Sequence, residues 1–279
     1  MKTCDLHTHS IYSDGTCTPK EIIDLAMEIG LAAVALCDHN TVDGLPVFLE
    51  SAKGSPIEAI AGAEFSVDYH GRELHLLALF IPECQCDKVS DLMAEVNERK
   101  RKSNQELIAA LNRAGYRIDY AQLCASTPNG KFNRAHVAAE LTRMGEVASI
   151  KTAFDTLLSP KAGYYKEPKR LDFFEMIEFV TSIGAVPVLA HPFLNLQKDE
   201  LETLLPIAKE AGLAGMECYY SEYDENTTKT ALQLARRFGL KPSGGSDFHG
   251  DNKPGIRLGI GHGNLKIPYE WAETFKNEA

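Results

Sequence analysis

An alternation of apolar strands and amphipathic helices constrains the fold of this chain more than any other sequence feature. The continuous apolar run 32–37 has the pattern of a strand that is buried on both faces. Before it, Thr18-Pro19-Lys20-Glu21 predicts a helix start with a capping box. A second helix after Asp43 and a strand at 57–63 continue the alternation. This order predicts a parallel sheet with right-handed crossovers.

The alternation stops between about residues 87 and 172. The stretch 88–114 predicts one long helix that Gly115 closes, and shorter helical segments follow near 132–144 and 147–158. Beyond them the alternation of strands and helices returns. We therefore predict an α/β barrel domain formed by residues 1–86 and 173–279, and a small helical insertion domain formed by residues 87–172.

Two stretches predict departures from a regular parallel barrel. The segments 65–69 and 72–81 flank a His-Gly turn and predict an antiparallel hairpin, which places His75 within an apolar strand. Pro187 lies inside the predicted strand 185–190, where it has no N–H group to donate. The barrel is therefore expected to be irregular or open at that point.

Polar side chains follow the predicted strands at their C-terminal ends. His7 and His9 are two residues apart on the first strand, so their side chains project from the same face, and Asp247 and His249 repeat this spacing after the last strand. In α/β barrels this end of the strands carries the chemistry. The full set that we expect at the barrel mouth is His7, His9, Asp14, His39, Glu64, His75, His191, Asp247 and His249.

The charges of this set favour bound cations. Carboxylates gathered in one mouth repel one another and would bind protons instead. Divalent metal ions remove this cost, and neutral imidazole beside carboxylate oxygen suits Mn, Fe and Zn alike. Nine ligands are too many for one ion, so we predict a multinuclear site with Glu64 as the bridging carboxylate. Asp5 is expected to hold a histidine tautomer, and Asp38 is a further carboxylate at the mouth.

Composition excludes several classes of function. The net charge of −10 argues against broad adhesion to nucleic acid or anionic membranes, so no stable binding of duplex nucleic acid is expected. No apolar run reaches membrane-spanning length. The seven cysteines are odd in number and lack a CxxC pair, and no signal peptide is recognised, which favours the reducing cytoplasm. The basic run 99–102 is interpreted as a solvated helix face, with a nucleic-acid groove as the alternative.

Five short segments carry most of the predicted ligands. They are Asp5-Leu6-His7-Thr8-His9-Ser10, Asp38-His39-Asn40, Gly62-Ala63-Glu64, His191-Pro192 and Gly245-Ser246-Asp247-Phe248-His249. Together they resemble the motifs of the PHP (polymerase and histidinol phosphatase) family. The resemblance implies a distorted (β/α)7 TIM-like barrel with two or three divalent metal ions. By motif, the first metal would take His7, His9, Glu64 and Asp247, the second Asp14, His39 and His249, and the third Glu64, His75 and His191.

The resemblance also implies an activity. Nucleotide phosphoesterases of this family include 3′,5′-nucleoside bisphosphate phosphatases and 5′–3′ exoribonucleases. They bind phosphate through an Arg-x-His segment of the insertion, and Asn133-Arg134-Ala135-His136 is similar to it. We therefore expect a metal-dependent phosphoesterase that hydrolyses a phosphate monoester of a small nucleotide, or short RNA, by attack of a metal-bridged hydroxide.

Residue roles follow from this expected activity. Arg134 and His136 would hold phosphoryl oxygens, and with Asp247 and His249 they form the expected catalytic set. Tyr220 and Ser221 are further candidates for substrate contact, although they are as compatible with packing. The alternative for Arg134 is that it only begins a helix and forms a surface salt bridge.

Other functions stay open from the sequence. A non-catalytic metal- or nucleotide-binding module, like the PHP domains that serve structurally in polymerases, would belong to another class, and the complete ligand set argues against it. Amide or lactone hydrolysis would use similar metals. A histidinol-phosphatase-like activity is less favoured, because such members often have histidine where Asp14 stands here.

Overall fold

The computed structural model describes residues 2–127 and 132–276. The strands are β1 Thr3–Thr8, β2 Ala33–Leu36, β3 Glu58–Tyr69, β4 Arg72–Leu79, β5 Leu171–Asp172, β6 Val186–Leu189, β7 Gly215–Tyr220, β8 Lys241–Gly245 and β9 Ile267–Pro268. The α-helices are α1 Pro19–Glu28, α2 Leu45–Ala52, α3 Cys86–Arg113, α4 Tyr120–Ala125, α5 Arg134–Arg143, α6 Ile150–Asp155, α7 Phe173–Ser182, α8 Lys198–Glu210, α9 Glu225–Arg237 and α10 Tyr269–Lys276.

The strands form one curled sheet in the order β8-β7-β6-β4-β3-β2-β1-β9, with β5 beside β3. Strands β1, β2 and β3 pair in parallel, as do β6, β7 and β8, whereas β4 is antiparallel to β3 and β6. The end of β1 meets the segment after β8, where the Asp247 N–H donates to the His7 carbonyl at 2.9 Å. The sheet is thus a nearly closed barrel, and the predicted α/β barrel is confirmed.

The predicted hairpin is confirmed, and it is longer than expected. Strands β3 and β4 pair in register from Gly62 opposite Leu79 to Tyr69 opposite Arg72. Glu64 therefore lies within β3 rather than at its end. It still sits at the barrel mouth, because β2 is short and the Glu64 N–H donates to the Asp38 carbonyl beyond the end of β2, at 3.2 Å.

Pro187 makes the barrel irregular without opening it. It lies in β6 opposite Ala78 of β4, and its carbonyl accepts a hydrogen bond from the Ala214 N–H at 3.0 Å. The register between β6 and β7 comprises two residue pairs, beginning with Val188 opposite Gly215. The missing N–H group of Pro187 shortens the ladder between β6 and β7, while the ladder between β6 and β4 keeps β6 in the sheet.

Apolar side chains fill the barrel below its mouth. Leu6, Ile60, Leu77 and Val188 are buried together inside the barrel, and Phe275 of α10 belongs to the same cluster. A larger cluster lies between the strands and the surrounding helices. The interior is therefore a packed floor on which the polar residues of the mouth rest.

Helix α3 contributes to two hydrophobic clusters. Val89 and Met93 belong to the barrel cluster, whereas Leu107 and Leu111 pack with Val137 in a separate cluster of the insertion. Because β4 runs antiparallel to its parallel neighbours, it ends away from the mouth, and α3 then runs back along the barrel. Its 28 residues span about 42 Å. The separate cluster supports the division into barrel and insertion domains, which stays a prediction.

Among residues 2–127 and 132–276, no helix combines the length with the apolar character that a membrane span needs.

Candidate metal centre

Glu64 lies at the centre of a cluster of buried side chains at the barrel mouth. Its Oε2 atom lies 3.2 Å from Nε2 of His7, Nε2 of His9 and Nδ1 of His39. All four side chains are buried or nearly so. His7 lies in strand β1, His9 directly follows that strand, and the turn after β2 supplies His39. One carboxylate oxygen therefore faces three imidazoles at once.

The second oxygen of Glu64 faces a different pair of imidazoles. Its Oε1 atom lies 2.7 Å from His75 Nδ1 and 2.9 Å from His191 Nε2. His75 comes from β4, and His191 follows β6. The Nε2 atom of His75 also lies 3.6 Å from Glu73. The two oxygens thus face two different sets of imidazoles, as expected of a bridging carboxylate. The bridging role stays a prediction.

Asp247 and Asp14 complete the cluster. Asp247 Oδ1 lies 3.2 Å from His9 Nε2 and 3.3 Å from His249 Nδ1. Asp14 Oδ1 lies 3.2 Å from His249 Nε2, and its Oδ2 lies 3.8 Å from His39 Nε2. The structure therefore brings all nine predicted metal ligands together at one end of the barrel.

The possible metal-binding groups differ in detail from the three predicted ligand sets. Within residues 2–127 and 132–276, four groups offer ligand atoms that all lie within 4.8 Å of one another: His7-His9-Glu64, His9-Asp14-His39-His249, His39-Glu64-His75 and His7-His191-Glu217. His9 joins the predicted second set, and His39 stands where the predicted third set has His191. The assignment of individual ligands to individual metals stays a prediction.

Several ligand atoms in the cluster are buried without a hydrogen-bond partner. His7 Nε2, His9 Nε2, His39 Nδ1 and Glu64 Oε2 have no such partner among the residues that the structure describes. Buried polar atoms are rarely left in this state. Nitrogen and oxygen atoms that converge without hydrogen-bond geometry are what a divalent cation satisfies, so this donor set fits metal ions.

The histidines and carboxylates shift one another's pKa in opposite directions. Burial alone would lower the pKa of His9 and His75, but nearby carboxylates raise it to about 9 and about 10, with Glu64 acting on both. Burial would raise the pKa of Glu64, but the imidazoles, His39 foremost, hold it well below its usual range. Without metal, protonated His9 and His75 therefore balance ionised carboxylates, whereas burial lowers the pKa of His39 to about 3 and that of His249 as well; bound cations would replace the protons of the first pair.

The backbone at the mouth is closely packed and locally strained. A Cβ atom added at Gly245 would lie 2.2 Å from His7 Cβ, so only glycine fits beside β1. Asn40, His191 and Asp247 have positive φ angles of 52°, 26° and 56°. Such conformations are costly for residues other than glycine and persist where the surroundings fix them. Each lies in or beside a turn that presents a predicted ligand.

Glu217 of β7 is a candidate that the sequence reasoning missed. It is fully buried, with Oε1 3.0 Å from His7 Nδ1, and its Oε2 accepts a hydrogen bond from the His191 N–H at 2.7 Å. It therefore orients the His7 ring so that Nε2 faces Glu64. The available signal was one carboxylate inside the otherwise uncharged strand Gly215–Tyr220.

The predicted role of Asp5 is wrong. Its carboxylate accepts hydrogen bonds from the backbone N–H groups of His7, Ser246 and Gly259, at 3.3, 2.9 and 2.7 Å. It therefore ties β1 to the segment after β8 and does not orient an imidazole. Glu217 occupies the orienting position instead.

Asp38 does not join the ligand cluster either. Its Oδ1 accepts hydrogen bonds from the Ser10 N–H and the Ser13 hydroxyl, both at 2.7 Å. These bonds fix the loop after β1, which carries Asp14. Asp38 thus positions a predicted ligand from a distance.

Tyr220 and Ser221 are buried, and their hydroxyl groups already have partners. Tyr220 donates a hydrogen bond to Asp247 Oδ2 at 2.8 Å, and Lys253 Nζ contacts the same oxygen. Ser221 donates to the Ser246 carbonyl at 2.6 Å. Both residues hold the segment that carries Asp247, and direct substrate contact by them stays a prediction.

Arg134 begins α5, yet its side chain is not a simple surface salt bridge. Its guanidinium lies 4.1 Å from the centre of the Tyr165 ring, and Nη2 lies 3.7 Å from Glu73. Arg170 contacts the same carboxylate at 2.7 Å. With Lys100, these arginines line a cavity of about 200 Å³ that also reaches Asp14, His39 and His75. We call this cavity the basic lobe.

His136 is engaged in the cap of α5. Its Nδ1 accepts a hydrogen bond from the Asn133 N–H at 3.2 Å, and burial lowers its pKa. The Nε2 atom takes no part in this cap, and His136 is not among the described residues that line the basic lobe. Its phosphate-binding role stays a prediction.

The basic run 99–102 divides between two environments. Arg99 pairs with Glu95, and Arg101 and Lys102 pair with Glu98, all within α3. Lys100 lines the basic lobe instead, and burial lowers its pKa. The interpretation as a solvated face is therefore wrong for Lys100, because the helix turns this one residue toward the barrel mouth.

Comparison with known proteins places the chain among similar sequences and structures. The PHP domain matches residues 5–166. A 5′-3′ exoribonuclease of Haemophilus influenzae is 30% identical over 89% of this chain and 90% of its own length. A 3′,5′-nucleoside bisphosphate phosphatase of Chromobacterium violaceum is 29% identical over 93% of this chain and 91% of its own length.

Solved structures resemble the whole chain. The structure of an amidohydrolase from Chromobacterium violaceum, with bound sulfate and no metal, has a TM-score of 0.89 and 26% identity. The similarity covers 99% of this chain and 96% of that one. The barrel and its insertion are therefore both shared with that protein.

Proposed function

This chain belongs to the PHP domain family, and on that premise we propose that it is a metal-dependent phosphoesterase acting on nucleotides. Its substrate would be a phosphate monoester of a small nucleotide, such as a nucleoside 3′,5′-bisphosphate, or a short oligoribonucleotide. The similar proteins with the names exoribonuclease and bisphosphate phosphatase support this class of reaction. A further relative, 28% identical, has the name phosphoribosyl 1,2-cyclic phosphate 1,2-diphosphodiesterase, which also belongs to the phosphoesterases.

One observation carries the proposal. Ligand atoms of His7, His9 and Glu64 that have no hydrogen-bond partner among the described residues lie at the barrel mouth, and a lobe with four basic side chains adjoins that mouth. The first feature suits divalent cations, and the second suits an anion. A phosphate ester needs both, since its oxygens bind cations while guanidinium and ammonium groups neutralise the remaining charge.

The nine clustered side chains would hold the metal ions. Bound divalent ions supply a nucleophile at neutral pH by lowering the pKa of water, and they offset charge on the phosphoryl group. Within the chain, Glu217 orients His7, while Asp38 and Asp5 fix the loops that present the other ligands. Arg134 and Lys100 would bind phosphoryl oxygens, and Glu73 keeps the two arginines of the lobe in place.

The decisive experiment measures phosphate release from adenosine 3′,5′-bisphosphate with added manganese. We expect release that stops after treatment with a chelator and returns when metal is restored. Elemental analysis of protein purified without chelator would identify the metals. A comparison with a short RNA that carries a 5′-phosphate would then separate a mononucleotide from an oligonucleotide substrate.

Two other functions make different predictions. A non-catalytic module would release no phosphate from any member of a nucleotide and RNA panel, although it would still bind metal. An amide or lactone hydrolase, a possibility raised by the name of the similar amidohydrolase structure, would not need Arg134. Arg134→Ala would then leave activity largely intact.

A further inference from the structure

A second cavity adjoins the basic lobe. It has a volume of about 330 Å³ and lies between the barrel and the insertion. Tyr12 lines it from the loop after β1, while Met93, Tyr120 and Phe132 line it from the insertion side. We call it the aromatic lobe. Both lobes are lined by His39, Asn40, Lys100, Asn104 and Asn133.

This shared wall connects the aromatic lobe to the metal centre. His39 has one ring nitrogen 3.2 Å from Glu64, and its side chain also lines both lobes. A ligand with its phosphate among the metal ligands and the basic lobe can therefore extend into the aromatic lobe. The volume of the aromatic lobe lies within the range of about 300–1,000 Å³ that is usual for small-molecule sites.

The residues that line the aromatic lobe suit a flat and uncharged group. Among its charged lining residues, Lys100 and Arg101 are matched by Asp43 and Glu98, and Arg101 pairs directly with Glu98 at 2.7 Å. Among the described lining residues, a phosphate group would therefore find as many negative as positive side chains. Aromatic rings from both sides instead offer stacking surfaces, on which nucleic-acid bases bind with little dependence on sequence.

The rings are held before any ligand arrives. Tyr12 lies against the start of α2, where a Cβ atom at Gly44 would be 3.1 Å from the Tyr12 ring. Tyr120 packs edge-on against Phe132 at 5.2 Å, and its hydroxyl accepts a hydrogen bond from Gln105 Nε2 at 3.1 Å. Rings that are fixed in this way lose little conformational freedom on binding.

Two amides add polar groups to the same cavity. Asn97 donates through Nδ2 to the Asn40 carbonyl at 3.1 Å, and Asn104 donates through Nδ2 to the Phe132 carbonyl at 2.8 Å. These bonds orient both amides and leave their side-chain oxygens as acceptors. A heterocycle with N–H groups could use such acceptors, whereas a plain hydrocarbon could not.

We propose that the aromatic lobe binds the nucleobase of the substrate, with Tyr12 and Tyr120 as specificity-determining residues on its two sides. The inference deepens the proposed function and rests on it for the placement of the phosphate. The cavity between the barrel and the insertion would then distinguish a nucleotide from a sugar phosphate.

The test compares two ligands that differ only in the base. Calorimetry measures the dissociation constants of adenosine 5′-monophosphate and of ribose 5-phosphate for the purified protein. We expect the nucleotide to bind about 10-fold to 100-fold more tightly. Tyr120→Ala and Tyr12→Ala should each remove most of this ratio and leave the affinity for ribose 5-phosphate unchanged, whereas Tyr120→Phe should retain the ratio.

Tyr116→Ala is the matched control. Tyr116 packs against Tyr164 within the insertion and lines neither lobe, so this variant should keep both affinities. Because Tyr12 belongs to the barrel and Tyr120 to the insertion, local unfolding of the insertion cannot explain a common effect. Thermal unfolding curves of every variant identify any that fail to fold.

Equal affinities for the two ligands would overturn the inference, as would an equal loss of both affinities in the two alanine variants. The proposed function is tested separately by phosphate release from p-nitrophenyl phosphate, which lacks a nucleobase. Selective nucleotide binding without phosphate release would remove the proposed function and keep the base site. Phosphate release without selective binding of the nucleotide would keep the proposed function and remove the base site.

Discussion

On the barrel side of the site, the functional side chains are buried and tied to strands, whereas on the insertion side they are partly exposed and carried by helices and loops. His7, His9 and Glu64 are fully buried; His7 and Glu64 lie within strands β1 and β3, and His9 directly follows β1. Arg134 keeps about a fifth of its side chain exposed, at 22%, and rests on a tyrosine ring. Under the proposed function, the barrel would fix the geometry that metal ions require, while the insertion would supply contacts to the substrate.

This difference predicts two kinds of variant. Substitutions on the barrel side should lower metal content and activity together, because the ligands share one cluster. Substitutions on the insertion side should lower activity and leave metal content unchanged. An insertion-side variant that loses metal, or a barrel-side variant that loses activity but keeps its metal, would contradict this comparison.

The largest effect is expected for Glu64→Ala. Removing the carboxylate that faces five imidazoles should lower metal content and reduce phosphate release about 1,000-fold or more. Elemental analysis and the phosphate assay measure both changes. Glu58→Ala is the control on the same strand, since Glu58 contacts Tyr269 and Lys276 away from the mouth. Full metal content and rate in Glu64→Ala would contradict the predicted cluster.

Arg134→Ala should reduce kcat/KM for the phosphoester about 10-fold to 100-fold, because it removes a charge-assisted hydrogen-bond donor. Metal content should not change. Arg143→Ala, at the exposed end of the same helix, should behave as the parent protein. Parental kcat/KM in Arg134→Ala would favour amide or lactone chemistry instead.

Glu217→Gln sharpens the barrel side of the comparison. The amide keeps the size of the side chain but loses the charge beside His7 Nδ1, so metal affinity should fall about 10-fold. Titration with a competing chelator measures the change. Glu222→Gln is the control, since Glu222 is exposed and pairs with His262 outside the mouth. Unchanged affinity in Glu217→Gln would remove the orienting role.

Lys100→Ala tests whether one residue of the basic run belongs to the site. We expect about a 5-fold to 10-fold rise in KM, because a half-buried ammonium contributes less than a bidentate guanidinium. Lys102→Ala, two positions along α3 and paired with Glu98, should leave KM unchanged. Equal changes in KM for Lys100→Ala and Lys102→Ala would support the interpretation of the whole run 99–102 as a solvated helix face.

The smallest effect concerns pH and the metal-free protein. The pKa of His9 is raised to about 9 and that of His75 to about 10, from 6.5. Their protonated forms therefore stabilise the fold fully below pH 6.5, and this contribution is lost as pH rises through 9 and 10. The Tm of the metal-free protein should fall by a few degrees (about 2–4 °C per kcal/mol) over this range. The metal-loaded protein should show a smaller decrease, and equal Tm profiles would contradict the exchange of protons for cations.

Much of the fold was predictable because its signals are local. Strand-helix alternation, the capping box at Thr18 and the spacing of paired histidines are each readable within a few residues. The capping box is present as expected, with the Glu21 N–H donating to Thr18 Oγ1 at 3.2 Å. Short strands such as β5 and β9 carry no comparable pattern, since each has only two residues and pairs with a distant strand.

The site was predictable where the backbone alone determines placement. Residues at strand ends must meet at the mouth, and the structure brings the nine predicted ligands together there. Roles that depend on side-chain direction were not predictable. Asp5 and Glu217 are both buried carboxylates near His7, yet one accepts from backbone N–H groups and the other faces the imidazole. Lys100 differs from its neighbours only in the direction that α3 gives it.

Helix α3 has a consequence for how the substrate range of such a chain can vary. One uninterrupted helix is anchored in the barrel at Val89 and in the insertion at Leu111, and it carries Lys100 between them. Adding a single residue before Lys100 would rotate it by about 100° and raise it by about 1.5 Å, out of reach of the phosphate. Room for larger or smaller substrates can instead be gained in the loops that line the two lobes, such as the loop after β1 that carries Tyr12.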